Sequence, residues 1–300
     1  MLLHKFMNIY EEAKAERKVR DYFSDSANGN SRIEFLGHFL SSVYQPILSF
    51  NGAHLETIGY EAFVRPVAGN EHVSPVRYFE ELEPEHHFFA DRLCRDLHVT
   101  NFLKQAQDHE TISLNISPLA LAENATQLER LTTQIQIAQK NGLNSERIYL
   151  EIAMTPELDP GEIYTFTHQL REKGLKITLE DFDADCASFS RIIFARPDVV
   201  KFNRTWLDGN LNDAAYIELV SNVVRGIAAL GTKTHLERIE SKREFTFAIA
   251  CGFDFLQGYY LGEPNAQLKR ATYNLPVNRE QGRGRVYRQA SSKGYSGQPV

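Results

Sequence analysis

The chain has 300 residues, 42% hydrophobic, 11% aromatic and 24% charged, enough apolar material for the core of one large domain or two medium ones. No apolar run reaches the length of a membrane span, and Met1-Leu2-Leu3-His4-Lys5 opens no secretory segment, so a cytoplasmic protein is expected. The net charge of −6 is uneven: residues 266–300 carry seven basic side chains against Glu280 alone, leaving an acidic body that is a poor nucleic-acid surface but suits divalent cations.

Residues 11–21 read as a polar helix and 24–30 as a linker. The compact domain is therefore expected to begin near Ile33, giving segments 1–32, 33–265 and 266–300. The last, rich in Gly, Ser, Gln and Arg, reads as a disordered, solubilising tail. Segment 43–50 is strand-like, Asn51-Gly52 signals a hairpin, and 55–64 is the return strand, so the first two strands should be antiparallel. Ser74-Pro75 opens a helix and 88–103 continues as a longer one. His86 and His87 diverge by about 100° on a helix, which argues against joint metal binding and for surface positions.

Further along, 112–116 is a strand, 124–140 a polar helix and 148–152 another strand. Asp159-Pro160-Gly161-Glu162 is a capping box whose helix ends at Gly174. Segments 175–181 and 197–203 hold short buried strands. A helix built on Ile217, Val220, Val224 and Ile227 follows, then strand 233–237, a capped helix from Ser241 to Gly252, and a last strand at 253–258. Cys94, Cys186 and Cys251 lie far apart without a Cys-x-x-Cys, which fits buried thiols in a reducing compartment and not a zinc site.

Taking one polar residue from each apolar strand end gives Glu61, Asn115, Glu151, the pair Glu180/Asp181, Lys201, Glu237 and Gln257. Alone, Glu180 and Asp181 read equally well as a solvated acid beside a helix N-cap. Seven such ends in register, spaced by strand-plus-helix units, predict an α/β barrel whose polar ends meet at one mouth.

These motifs resemble the EAL domain family, the cyclic di-GMP phosphodiesterases and their inactive relatives, over roughly residues 35–264. Gln45-Pro46-Ile47, Gly59-Tyr60-Glu61-Ala62-Phe63-Val64-Arg65, Leu114-Asn115-Ile116-Ser117-Pro118, Leu150-Glu151-Ile152 and Gln257-Gly258-Tyr259 carry the likeness. The resemblance implies a modified (β/α)8 barrel with an antiparallel first strand, bacterial signalling, and two Mg2+ or Mn2+ ions that activate water and clamp the phosphoryl oxygens. It assigns Glu61, Asn115, Glu151, Glu180 and Asp181 to the metal, Lys201, Glu237 and Asp181 to catalysis, and Arg65 and Gln257 to the nucleotide. Glu240 would stand near Glu237. Trp206 reads as a packing residue before a nucleotide wall.

Departures cluster at the same place. Glu180 is one methylene longer than the family's acid. Asp183-Ala184-Asp185-Cys186 replaces a glycine-rich loop. Asn203 stands for an Asp, Met154 for a Glu and Arg238 for a Gly. At most one well-ordered ion is then expected. Three readings follow: an inactive or weak cyclic di-GMP receptor or interaction protein, with a protein partner or a homodimer; an active phosphodiesterase producing pGpG; and a scaffold that binds no nucleotide.

Overall fold

The computed structural model describes residues 22–25, 29–50, 54–116, 125–154, 160–183 and 185–274. The polar helix expected at 11–21, the Asn51-Gly52 turn, Ser117-Pro118, Asp159 and residues 275–300 lie outside the described residues. The chain divides into two compact units. Of the described residues, one holds those through Val43 together with Phe63–Gln105, and the other those of Tyr44–Ala62 together with those from Ala106 onward.

In the first unit, β1 (Phe23–Asp25) pairs antiparallel with β2 (Ser31–Phe35), and β2 with the first part of β3 (His38–Phe50). Ordered pairing thus starts ten residues before the expected beginning at Ile33, because alternate residues of β2 are buried and carry a sheet face into a core. That core joins Ile33, Phe35 and Leu40 to Tyr78 of α1 (Pro75–Glu80) and to Ala90, Leu93, Cys94 and Leu97 of α2 (Pro84–Leu103). Ser74 caps α1 and Pro75 occupies its first turn, as expected. The histidines expected at the surface are half-buried: His86 sets its ring edge-on to Phe35 at 6.1 Å, and His87 Nε2 lies 3.1 Å from the Leu82 carbonyl oxygen. The helix starts earlier than its apolar stripe suggested and brings that turn against β2.

His98 of α2 is buried, with Nδ1 2.7 Å from the Ser42 hydroxyl. Burial, then the Arg95 and Arg65 cations, pull its pKa down to about 3 from an ordinary 6.5. The folded protein therefore refuses a proton that the unfolded chain accepts, and stability should fall as pH drops below the unfolded value of about 6.5, by up to roughly 1.4 kcal/mol per pH unit. Melts of wild type and His98→Asn across that window should show a shallower decline in the variant. Parallel pH profiles would remove His98 as a source of the decline.

The second unit is a closed barrel. Its strands are β3 from Tyr44, β4 (His54–Ala68) as far as Ala62, β6 (Thr111–Ile116), β7 (Ile148–Ala153), β8 (Lys176–Phe182), β9 (Val199–Phe202), β10 (Lys233–Leu236) and β11 (Phe255–Leu256), while β5 (Glu71–His72) pairs with the far end of β4 in the first unit. Neighbours from β4 through β11 pair in parallel, β11 pairs antiparallel with β3, and β3 returns to β4. The antiparallel first strand is thus present, in an eight-stranded ring. All four residues of β9 are buried, the pattern of a sheet covered on both faces. Helices α3 (Ala125–Lys140), α4 (Pro160–Arg171), α5 (Cys186–Ala195), α6 (Ala214–Ala228) and α7 (Lys242–Cys251) follow their strands in turn. The capping box at Ser241 and Glu244 forms as expected, and Gly252 ends α7 with φ +83°. The last barrel strand, β11, is shorter than expected, two residues only.

The order of this unit runs past residue 265. β12 (Thr272–Asn274) pairs with β4, and Arg270 forks onto the buried Glu110 carboxylate at 2.7 and 2.8 Å. Tyr60 Oη also donates to Glu110, at 3.3 Å. A clean truncation therefore belongs after Asn274, since a cut at 265 strips a buried acid of its cation.

Candidate functional site

The polar strand ends meet. Lys201, 1% exposed at the end of β9, places Nζ 2.9 Å from Glu61 Oε2, 3.1 Å from Glu151 Oε2, 2.7 Å from Glu180 Oε1 and 3.3 Å from Glu237 Oε2. These acids come from β4, β7, β8 and the residue after β10. In register Asn115 stands beside Glu151, while Glu61 lies beside Ser113 and Glu180 beside Ala153, each two residues off the Asn115–Glu151 level, and the long side chains close that stagger on Lys201. Asn115 Nδ2 donates to Glu61 Oε1 at 3.3 Å. Gln257, 2% exposed, donates from Nε2 to Glu61 Oε2 at 2.9 Å and to Gln45 Oε1 at 3.2 Å. Gln45 and His235 are members that strand-end counting missed. Gln45 lies within β3, whose antiparallel direction hides it from a search of carboxyl ends. His235 stands beside Lys201 in register, one residue inside its strand end.

Electrostatics divides the acids. Burial alone would raise the Glu61 carboxyl, but the Lys201 ammonium and hydrogen bonds from Lys201 and Gln257 outweigh it and hold it at about 2. Glu151 goes the other way: burial, reinforced by repulsion from Glu61 and Glu180, pushes it well up against the pull of Lys201. The two close carboxylates thus shift in opposite directions, Glu61 towards its charged form and Glu151 towards its neutral one. Glu237 is also raised, by burial first. Lys201 is held charged by its four acids although burial opposes it. His235, buried and beside that ammonium, falls to about 3 and stays neutral.

Asp181 does not join them. β8 has an irregular register between Leu179 and Phe182, and Asp181 takes φ +57° there. The bulge leaves Glu180 with the cluster and Asp181 exposed. Trp206 fixes this strand end: its Nε1 donates to the Phe182 carbonyl at 2.8 Å and its ring stacks on Phe182 at 5.8 Å and 7°. It is a packing residue, 8% exposed. Asn203 caps the short 3-10 turn Arg204–Leu207, accepting from Thr205 N at 3.1 Å. Arg65 belongs to the first unit, half-buried, with Nη1 donating to the Val64 carbonyl at 3.0 Å. Glu240 pairs with Arg204 at 3.6 Å and is exposed.

A divalent cation suits what remains. Among the described residues, Glu61, Glu151 and Glu180 each offer a carboxylate oxygen, and these lie within 4.8 Å of one another. Glu151 Oε1 is buried with no hydrogen-bond partner. Hard oxygen donors, one of them without a hydrogen-bond partner, suit a hard divalent cation.

The EAL domain is the family whose sequence pattern this chain matches, over residues 35–264. The chain belongs to the EAL domain family. The oxygen sensor protein DosP of Escherichia coli is 25% identical over 238 residues, which cover 75% of this chain and 28% of DosP. The EAL-domain protein YkuI of Bacillus subtilis is 23% identical over 227 residues, 74% of this chain and 54% of YkuI. The chain thus spans about half or less of these curated relatives. A crystal structure of YkuI in complex with substrate c-di-GMP and calcium superposes with a TM-score of 0.68 at 22% identity, covering 77% of this chain and 57% of that one. A standalone EAL protein of Vibrio cholerae in c-di-GMP-bound form gives 0.66 at 20% identity, covering 77% and 94%. At such identities the solved structures carry the fold. No helix among the described residues is long and apolar enough to cross a membrane.

Proposed function

We propose that this EAL protein is a cyclic di-GMP receptor whose hydrolysis is weak or absent. The observation that carries the reading is the place of Lys201: its ammonium lies among the acids of the cluster, and the exposed Asp181 is not one of the three that could share a cation. The acids that remain for a cation form one donor set of three. Glu61, Asn115, Glu151 and Glu180 would hold a single Mg2+ or Mn2+, which supplies an acidified water and charge relief on a phosphate. The chain's own residues set the site's surroundings: Gln257 donates to Glu61 and is itself held by Gln45, and Lys201 sets the charge beside a neutral His235. Ground-state contacts of this kind support binding without lowering a barrier.

One observation favours hydrolysis to pGpG instead. Glu180 reaches Lys201 and both other acids despite its extra methylene, so its length alone does not remove it from the cluster. Calorimetry with cyclic di-GMP, in Mg2+ and then in EDTA, tests the receptor reading. Binding is expected in both, tighter with Mg2+. No heat in either leaves the scaffold reading in its place.

A further inference from the structure

Arg238 follows Glu237 at the end of β10 and adopts φ +57°, a backbone region that residues with a Cβ avoid. The flanking backbone enforces it. Ile239 N donates to the Gln257 carbonyl and Tyr260 N to the Ile239 carbonyl, both at 3.0 Å, and Arg204 Nη1 donates to the Arg238 carbonyl at 3.2 Å. Gly258 is pressed so close that a Cβ on it would lie 2.1 Å from the Ile239 carbonyl oxygen. Glycine or asparagine would meet this turn with less strain, so the arginine stands against the local backbone preference.

Its side chain is 64% exposed and touches the site through one nitrogen, Nε, 3.3 Å from Glu237 Oε1. The other Glu237 oxygen lies 3.3 Å from Lys201 Nζ. Among the described residues Nη1 and Nη2 have no partner. Arg204 next to it is different, tied to Glu240 at 3.6 Å and Glu244 at 3.4 Å. Lys201 is enclosed by its acids and 1% exposed, whereas the Arg238 guanidinium, on the same Glu237, is open to solvent and so to an anion. A guanidinium held at one edge by a carboxylate and open at the other is the geometry that takes two phosphate oxygens side by side.

We propose that Arg238 is a phosphate-binding residue of this site, its Nη1 and Nη2 receiving a phosphodiester of the nucleotide while Glu237 holds the fork in place. The inference rests on the reading of the site as one that binds cyclic di-GMP. It adds a residue to that site at a position where neither strand periodicity nor the acid cluster points.

The test is a titration with cyclic di-GMP of the full chain, of Arg238→Gly and of Arg238→Asn, in EDTA and in Mg2+, with melting temperatures taken alongside. Both variants tolerate the left-handed backbone, so they should melt at or above the wild-type temperature. Their affinity should fall about 10- to 100-fold, the loss of a charge-assisted pair of hydrogen bonds. A purely structural arginine would move the melting temperature and leave affinity alone. Variants that bind as tightly as wild type overturn the assignment of Arg238 and leave the site reading standing. A wild type that binds in neither buffer overturns the site reading, and the assignment with it.

Discussion

Lys201→Met is expected to destabilise the protein by about 3–5 kcal/mol at neutral pH, the cost of leaving buried charge without its partner. In a domain of this size that is a fall of roughly 6–20 °C in melting temperature. The reason is the number of acids one ammonium serves. Glu61, Glu151, Glu180 and Glu237 all lie within 3.3 Å of Nζ, and two of them are almost wholly buried. Without Lys201, burial and mutual repulsion raise the folded-state pKa of Glu61, Glu151 and Glu237 above the unfolded value of about 4.3. Groups raised in this way keep their stability at pH below the unfolded value and lose it as pH climbs through the folded one. The variant should therefore recover towards wild type in mild acid. Mn2+ should raise its melting temperature more than that of wild type, because a divalent ion can then occupy the vacated centre. A variant that melts with wild type at neutral pH in EDTA would show that Lys201 does not hold the cluster together.

Much of this arrangement is legible in the amino-acid order, and the parts that are not share a cause. Strand ends such as Glu61, Glu151, Lys201 and Glu237 can be read because a buried strand tolerates charge only where it leaves the sheet, and the repeat of strand and helix sets the register. The antiparallel start was readable from two strand patterns close in sequence. The choice between Glu180 and Asp181 was not. It is made by a bulge at a left-handed aspartate, and nothing in Leu-Glu-Asp-Phe distinguishes a regular strand end from a bulged one. In the amino-acid order Asn203 is only a missing charge, while its side chain caps the following turn, a contact settled by backbone geometry. The partners of Gln257 and Arg270 lie 196 and 160 residues away, so no local pattern reports them. Arg270 in particular belongs to a stretch whose composition resembles a solvated tail.

Hydrolysis of cyclic di-GMP by the unmodified chain is expected to be slow or absent even where the nucleotide binds. Glu180 gives Oε1 to Lys201 at 2.7 Å, Asp181 is exposed on its bulge, and Asn203 contributes a cap and no charge. Three acids within 4.8 Å make one cation's donor set, whereas in-line displacement at a phosphodiester gains most from two cations flanking it. A reacting group misplaced by about 1 Å can cost on the order of 100-fold in rate. The double replacement Glu180→Asp with Asn203→Asp addresses both faults. The shorter acid loosens its hold on Lys201. The new aspartate keeps the acceptor that caps Thr205, while its second oxygen replaces an amide that sits 3.5 Å from Asp183 Oδ1 and so brings two negative charges together unless a cation lies between them. Assayed for pGpG with excess Mn2+, the double variant should exceed wild type by up to about 100-fold. Robust pGpG production by the unmodified chain would refute the expectation and establish the phosphodiesterase reading. If wild type is inactive and the double variant equally so, the acid length and the missing charge are not the limiting faults, and segment 183–187 is the part to rebuild with glycines.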